Sequence, residues 1–339
     1  MPAKLRLGVI GLVHDHIWGL LNQVKELDDA EVVAVADPNE PLREKACANH
    51  GLGKFYDDCR EMIDSEKLDG VIVGRENSAH ADILETCAAK GVHYMGEKPM
   101  AANLAQADRM LTAAEKAGIV CFINFPTTWQ PALQHAHTLV QEGAIGQVFQ
   151  LRMRSGHHGP KEIGCSEYFW SWLYDAERNG AGAYMDFCCY GANISRWFLG
   201  HPQSVIATRG QFVKNYDVPD DNGILLLEYP KATGICEGSW TQIGPQPGGW
   251  IINGSTGTLV PDAGGVKLYT LENREGKVIE CPPLPKGKHN GPAYFANCIR
   301  RGEQPEGRSN MHLCRDAQEI LEAGLVSARE GRRIALPLK

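Results

Sequence analysis

The chain has 339 residues, a net charge of -7 and an isoelectric point near 6.0, and 43% of its residues are hydrophobic. This acidic balance argues against nucleic acid as the main partner, because nucleic-acid binding requires a basic face. No apolar run reaches the roughly 18 residues that a membrane helix needs, and the N-terminus shows no signal-peptide pattern. We therefore expect no membrane partner and a cytoplasmic location.

The distribution of cysteines also favours a cytoplasmic location. The 11 cysteines are scattered along the chain, odd in number and never spaced as C-x-x-C. Reduced thiols that serve as small apolar residues are typical of this pattern. We therefore expect neither a disulfide framework nor a structural zinc site.

The first third of the chain alternates short apolar strands with helices. The predicted strands are 4–10, 31–36, 70–74, 92–95 and 118–124, and the predicted helices between them are 17–26, 41–49, 79–90 and 105–117. Strict alternation predicts an α/β fold with a doubly wound parallel sheet of the Rossmann type. The expected nucleotide-binding domain comprises residues 1–123.

The pattern changes after Pro126, and residues 124–339 are expected to form an α+β domain for substrate binding and oligomerisation. Its predicted helices are 131–142 and 313–329, and its predicted strands are 147–154, 204–212, 222–228, 233–241, 249–253 and 258–260. Strands separated by turn signals predict a large, mostly antiparallel sheet. Because an open-faced sheet buries poorly alone, we expect a homodimer or homotetramer.

The junction between the first strand and the first helix has the position of a dinucleotide-binding turn. Gly11 fits the first glycine of G-x-G-x-x-G, whereas Val13 and His16 occupy the second and third positions. Backbone N–H groups and the helix N-terminus face the pyrophosphate in such a turn. His14 and His16 would help hold the pyrophosphate or cap the helix, and no third residue for a metal site can be named.

Asp37 ends the second strand, 26 residues after Gly11. An acid near this offset accepts the ribose hydroxyls of NAD. Its charge would repel a 2′-phosphate, and Pro38 and Asn39 supply no cation, so NAD is favoured while NADP stays possible. The alternative is an ordinary turn aspartate before proline.

Two further groups of polar residues are candidates for the functional site. Glu97-Lys98-Pro99 closes the fourth predicted strand, at the sheet edge where α/β proteins bind ligands. Asp186, Tyr190 and Asn193 are spaced i, i+4 and i+7 and would share one face of a helix. The alternatives are a Glu-Lys pair in a turn and a helix face hydrogen-bonded within the domain.

These motifs in this order resemble the Gfo/Idh/MocA oxidoreductases, which include inositol dehydrogenases and glucose–fructose oxidoreductase. The matching segments are the strand and loop 71–80 ending in His80, the motif Glu97-Lys98-Pro99, the turn 143–146 and the C-terminal segment 323–336. The resemblance implies a nicotinamide cofactor, with His80, Glu97 and Lys98 on its side of the site. It also implies that Lys98 holds the reacting oxygen.

The chain departs from that family at two places. The usual D-x-G-x-H motif reads Asp186-Phe-Cys188-Cys-Tyr190, so Tyr190 takes the place of the acid/base histidine, as in glucose–fructose oxidoreductase. We expect Lys98 and the nicotinamide to lower the pKa of Tyr190. Asp186 would orient Lys98 or the substrate, and Asn193 would bind a neighbouring hydroxyl. Thr128 stands where the family often has an arginine, so any substrate contact of that arginine should be missing.

An aromatic segment suggests what the substrate is. His157, His158, Trp170 and Trp172 are predicted to contact a sugar or cyclitol, whose C–H faces pack on aromatic rings. The alternative is that these residues cover the sheet or form a subunit contact.

The resemblance therefore implies an NAD-dependent enzyme that oxidises a secondary hydroxyl of a sugar, a sugar derivative or a cyclitol. A second hypothesis is glycoside cleavage through a transient keto-sugar, with His157, His158 and Glu167 as extra bases. A non-catalytic ligand sensor is the third, and intact Lys98, Asp186 and Tyr190 argue against it.

Overall fold

The computed structural model describes residues 3–244 and 249–339. Its first sheet has six parallel strands in the order β3-β2-β1-β4-β5-β6. The elements are β1 Leu5–Ile10, α1 His16–Lys25, β2 Ala30–Ala36, α2 Glu40–His50, β3 Phe55–Tyr56, α3 Cys59–Ser65, β4 Gly70–Val73, α4 His80–Ala89, β5 His93–Glu97, α5 Leu104–Ala117 and β6 Cys121–Asn124.

The predicted doubly wound parallel sheet is confirmed, with one strand and one helix more than expected. Strand β3 has two residues and pairs with β2 at only two positions, so it leaves no apolar run in the sequence. Strands β1, β4, β5 and β6 are almost entirely buried because helices cover both faces.

The second sheet has nine strands in the order β14-β13-β12-β11-β7-β10-β9-β8-β15. The remaining elements are α6 Pro131–Gln141, β7 Val148–Gly156, α7 Glu167–Leu173, α8 Ala176–Asn179, α9 Ala183–Leu199, β8 Ser204–Gly210, β9 Asn222–Glu228, β10 Thr233–Ser239, β11 Gly249–Gly254, β12 Gly257–Asp262, β13 Gly265–Thr270, β14 Lys277–Ile279, α10 Gly291–Arg301, α11 Met311–Glu330 and β15 Ile334–Ala335.

This sheet is antiparallel except for the pair β7 and β10, which confirms the expected mostly antiparallel sheet. Alternate residues of its central strands, such as Leu225, Leu227 and Cys236, are buried and face the core. On the other side, Ile224 of β9 is exposed. The open face agrees with the predicted oligomer, which stays a prediction.

Helix α9 carries the candidate catalytic residues, and its start is firmly held. The Asp220 carboxylate accepts the backbone N–H groups of Gly182 and Tyr184, at 3.0 and 2.7 Å. Arg209 pairs with the same carboxylate at 2.6 Å. These bonds satisfy donors of the first turn that no residue within the helix can reach.

The C-terminal helices return to the first sheet's domain. Arg300 of α10 donates to Asp29 at 2.7 Å, and Arg315 of α11 donates to Asp108 at 2.7 Å. The division of the chain after residue 123 therefore stays a prediction about folding units. None of the helices within 3–244 and 249–339 is long and apolar enough to cross a membrane.

Candidate active site

The centre of the candidate site is a buried ion pair between the two sheets. Lys98, which follows β5, is only 4% exposed. Its Nζ donates to Asp186 Oδ1 at 2.5 Å and to the Asp186 backbone carbonyl at 3.2 Å. The same Nζ lies 4.9 Å from the centre of the Tyr190 ring. The end of β5 and the face of α9 that carries Asp186 and Tyr190 were predicted separately from the sequence, and the fold brings them together at Lys98.

Trp240 fixes the second oxygen of the Asp186 carboxylate. Its indole Nε1–H donates to Asp186 Oδ2 at 2.9 Å, and the ring is completely buried. Because its partner lies 54 positions away, no local pattern reveals this role. Trp240 acts through Asp186 and is a positioning residue.

The pKa shifts of the pair keep both groups charged. Burial alone would lower the pKa of Lys98, but the Asp186 carboxylate reverses this and raises it well above its ordinary value. Burial alone would raise the pKa of Asp186, and the Lys98 charge more than offsets it, so that pKa is lowered. At neutral pH the site therefore presents an ammonium group held by a carboxylate.

Tyr190 differs from the expectation. Burial raises the pKa of its hydroxyl above the ordinary value, and the opposing influence of Lys98 is smaller. Lys98 lowers this pKa as expected, but burial outweighs it, so the expected net lowering is wrong for the protein without cofactor, and Tyr190 is protonated at neutral pH. Its ring packs edge-on against Phe125, with 5.7 Å between ring centres.

Beside Lys98, a series of hydrogen-bonded polar side chains connects the turn between β1 and α1 to the ends of β5 and β6. His16 Nδ1 lies 3.0 Å from Glu97 Oε2, and Asn124 donates to Glu97 Oε1 at 2.5 Å. Trp129 in turn donates to Asn124 at 3.0 Å. Burial would raise the pKa of Glu97, but His16 and Asn124 lower it, so Glu97 is a carboxylate.

His14, His16 and Glu97 also form the kind of cluster that holds a metal, with one ligand atom from each within 4.8 Å of the others. Sequence alone named no third ligand, and Glu97 takes that place. However, His14 Nδ1 accepts the backbone N–H of His16 at 3.2 Å. Burial lowers the pKa of His14 well below its ordinary value, so the neutral ring carries its proton on Nε2. In this arrangement the backbone engages Nδ1 of His14, and the absence of a metal stays a prediction.

The turn after β1 has the geometry of a nucleotide cradle. Gly11 has φ +85°, and a Cβ there would collide with the Arg75 side chain and the Gly74 carbonyl. The Asp37 carboxylate accepts the Leu12 backbone N–H at 2.6 Å and the Asn39 backbone N–H at 2.7 Å. Asp37 thus ties the end of β2 to the turn, and its contact with the ribose stays a prediction.

A cavity of about 290 Å³ opens beside this turn, at the carboxyl ends of β1, β2 and β4. Its lining includes Ile10, Ala36 and Arg75, together with acids and Arg60 from the segment after β3. A narrow glycine turn next to such a cavity fits a dinucleotide. Sequence analysis considered only Pro38 and Asn39 beside Asp37, whereas Arg43 donates to the Asp37 carbonyl and the fold brings Arg60 and Arg75 to the same region.

The other predicted cofactor and substrate residues differ in how deeply they are buried. Val13 and His80 are buried, and His80 Nδ1 lies 3.1 Å from the Met100 carbonyl. His157 packs on Phe187 near the ion pair, and burial lowers its pKa. Trp170 is half-buried, whereas His158 is exposed.

Two predicted substrate residues are positioned for other tasks. Trp172 is fully buried and packs against His14, at 5.6 Å between ring centres. Because α7 turns this ring into the core, its expected contact with a sugar gains no support and stays a prediction. Asn193 is also fully buried, and its side chain bonds Arg308 twice, accepting from Nε at 2.8 Å and donating to the backbone carbonyl at 3.0 Å. It therefore holds Arg308 rather than a hydroxyl of a substrate.

Family models match both parts of the chain. Residues 5–125 match the model described as "Oxidoreductase family, NAD-binding Rossmann fold", and residues 133–260 match "GFO/IDH/MocA C-terminal domain". The chain belongs to the Gfo/Idh/MocA oxidoreductase family. As a member it is an NAD-binding oxidoreductase, and the glycine cradle, the adjoining cavity and the Lys98 pair agree with this.

Similar proteins include sugar and cyclitol dehydrogenases. The D-apiose dehydrogenase of Paraburkholderia graminis is 27% identical over 98% of this chain and 89% of that protein. The myo-inositol 2-dehydrogenase of Thermotoga maritima is 24% identical over 80% of this chain and 79% of that protein. A levoglucosan dehydrogenase solved with NADH and levoglucosan shares the fold, with a TM-score of 0.84, 19% identity and coverage of 99% and 100%.

Proposed function

We propose that this protein uses NAD to oxidise a secondary hydroxyl of a sugar, a sugar derivative or a cyclitol, and to reduce the corresponding ketone. The observation that carries the proposal is the buried pair of Lys98 and Asp186 at the carboxyl end of β5. The names of the similar dehydrogenases support the substrate class.

Lys98 would hold the reacting oxygen. Its ammonium group has three N–H donors, and Asp186 takes part of that capacity through its carboxylate and backbone carbonyl. The remaining donor capacity serves an oxygen that gains negative charge during the reaction. A donor fixed in advance in a buried site stabilises such charge strongly. NAD supplies the hydride acceptor when bound.

Tyr190 would carry the proton. Because burial raises its pKa, the hydroxyl is protonated at neutral pH and suits proton donation to a carbonyl oxygen. In the oxidative direction the phenol must lose its proton first, so oxidation should be favoured at alkaline pH. His157 is the other candidate acceptor, since burial lowers its pKa and keeps its imidazole neutral.

The cofactor would lie along the turn from Gly11 to His16, with Glu97 and His16 near the nicotinamide end and Asp37 and Arg75 near the other end. NAD rather than NADP remains the preferred cofactor because the buried Asp37 carboxylate ends β2, although Arg60 and Arg75 line the same cavity as Asp57 and Asp58. Tighter binding of NADP than of NAD in a titration would refute this preference.

Of the three extra bases that glycoside cleavage would use, only His157 lies near the ion pair. His158 and Glu167 are exposed, and neither side chain bonds to Lys98 or Asp186 within the part of the chain that the structure describes. A ligand sensor is disfavoured for another reason: a binding site that performs no chemistry has little need of the buried, charged pair.

The proposal is tested by a panel of sugars, sugar derivatives, cyclitols and glycosides with NAD, in which NADH absorbance and cleavage products are followed together. Stoichiometric NADH and ketone from a free sugar or cyclitol are expected. Cleavage of a glycoside without net NADH would establish the second hypothesis instead. Ligand binding with no turnover across the panel would favour the sensor.

A further inference from the structure

Arg308 is a buried cation that the proposed reaction does not use. It lies in a short 3-10 turn before α11 and is 1% exposed. Nε donates to Asn193 Oδ1 at 2.8 Å, and Nη1 donates to Thr127 Oγ1 at 2.9 Å. Nη2 is buried and has no hydrogen-bond partner among the described residues. A buried charge normally has an opposite charge beside it, because its removal from water is costly.

No carboxylate within residues 3–244 and 249–339 forms an ion pair with Arg308; both partners of its side chain are neutral. The guanidinium carbon instead lies 5.6 Å from the centre of the Phe125 ring. Burial lowers the pKa of Arg308 to about 9, which agrees with the missing anion. Asn193 holds the residue at both its side chain and its backbone, so the guanidinium has a fixed orientation.

A second unsatisfied polar atom lies in the same place. Thr128 Oγ1 is buried and also lacks a partner among the described residues. Thr128 and Arg308 both line a cavity of about 330 Å³. Two unpaired polar groups on residues that line one cavity are unusual, since nearly all buried polar side chains find partners. The volume falls within the range of small-molecule sites.

The remaining residues that line the cavity indicate the chemistry of the rest of the ligand. Trp129, Trp197 and Tyr294 supply aromatic surface, and Lys288 adds a second cation at the rim. Glu306 also lines the cavity and lies 3.7 Å from Lys288, but its side chain is largely exposed. The charge deep in the cavity is therefore that of Arg308, and an arginine fork is suited to carboxylate or phosphate oxygens.

We propose that this cavity binds an oxyanion, a carboxylate or a phosphate group, on a small ring compound, with Arg308 and Thr128 as its polar contacts. Phe125 neighbours both this cavity and the reaction centre, since its ring centre lies 5.7 Å from that of Tyr190 and 5.6 Å from the guanidinium carbon of Arg308. The oxyanion belongs either to the far end of the substrate or to a separate anionic ligand.

Calorimetric titration of the NAD-saturated enzyme tests the proposal without requiring turnover, so it can be read even if the proposed oxidation fails. The probes are glucose, glucuronate, glucose 6-phosphate and inorganic phosphate. We expect at least one anionic sugar to bind ten times more tightly than glucose or better. Arg308→Met should remove this advantage, Arg308→Lys should restore part of it, and Thr128→Val should weaken anion binding by about threefold.

Arg301→Met is the matched control, because Arg301 is exposed and pairs with Glu303 at 2.7 Å. It should leave every affinity unchanged. Equal affinity for glucose and all three anions would overturn the proposal, as would an equal loss in the Arg301 and Arg308 variants. If Arg308→Met fails to fold, the comparison of Arg308→Lys and Thr128→Val with wild type gives the same decision.

Competition separates the two sources of the oxyanion, and either result supports the site. If the anion belongs to the substrate, the anionic sugar is oxidised, and Arg308→Met lowers its kcat/KM more than that of the neutral sugar. If the anion is a separate ligand, inorganic phosphate or glucuronate binds in the presence of a saturating neutral substrate.

Discussion

Lys98 and Arg308 are both buried cations, and the protein treats them in opposite ways. Lys98 pairs with Asp186, whose charge overcomes burial and raises the lysine pKa well above its ordinary value. Arg308 has only neutral partners among the described residues, and burial lowers its pKa to about 9. The Asp186 carboxylate therefore keeps Lys98 charged and in a fixed position for the reaction. The other cation keeps its charge available to a ligand.

Replacement of the paired cation should have the largest effect. Lys98→Met is expected to reduce kcat by about 10³-fold, since it removes the donor to the reacting oxygen. Affinity for NAD, measured by titration, should change little. Lys90→Met is the control, because Lys90 is an exposed lysine that pairs with Asp64 and should be dispensable. A Lys98→Met enzyme with wild-type kcat would exclude the proposed role.

Asp186→Asn makes Lys98 resemble Arg308, a buried cation without an anion. We expect a loss of about 3 kcal/mol in the free energy of unfolding, because one partner of a buried pair is left uncompensated. The pKa of Lys98 should fall, so activity should decline at a lower pH than in wild type. Urea unfolding and a pH profile measure both effects.

The double variant Lys98→Met/Asp186→Leu provides the control for stability, since loss of both charges should recover most of the unfolding free energy. If Asp186→Asn unfolds at the same urea concentration as wild type, the pair contributes no stability and the contrast with Arg308 fails.

Tyr190→Phe should lower kcat by about 10²-fold at neutral pH. In wild type, alcohol oxidation should become faster as pH rises, because the pKa of Tyr190 is raised and the deprotonated fraction grows with pH. The variant should lose this dependence. If His157 accepts the proton instead, the rate will level off near neutral pH, since its pKa is lowered, and His157→Asn will be the inactive variant.

The smallest effect on activity is expected for replacement of Trp240, the positioning residue. Trp240→Phe removes the indole donor to Asp186 and should lower kcat about fivefold while KM changes little, a loss of roughly 1 kcal/mol. Trp18→Phe is the matched control, because the Trp18 indole has no hydrogen-bond partner among the described residues. Equal changes in kcat for the two variants would show that Trp240 contributes only packing.

Sequence patterns predicted the parts of the molecule that depend on short-range order. The strand end at Lys98 and the helix face of Asp186 and Tyr190 were both identified, because strand alternation and helical spacing are local. Asn193 has the correct spacing but a different task, since spacing does not reveal what packs on a helix face. Its partner Arg308 lies 115 positions away.

The residues that sequence analysis missed have the same explanation. Trp240 follows β10 and reaches Asp186 only because β10 packs under α9. Arg75 lies near the Gly11 turn because β4 pairs with β1. Each contact joins elements that are neighbours in the fold and distant in the chain, so composition and periodicity carry no signal for them.

The most direct test of the division between the two cations assays Lys98→Met and Arg308→Met side by side for NADH formation and for affinity toward an anionic sugar. Lys98→Met is expected to lose NADH formation by about 10³-fold and to keep the anion affinity within threefold of wild type. Arg308→Met is expected to lose the anion affinity by tenfold or more. Loss of anion affinity in Lys98→Met equal to that in Arg308→Met would contradict the division, because one site would then account for both cations.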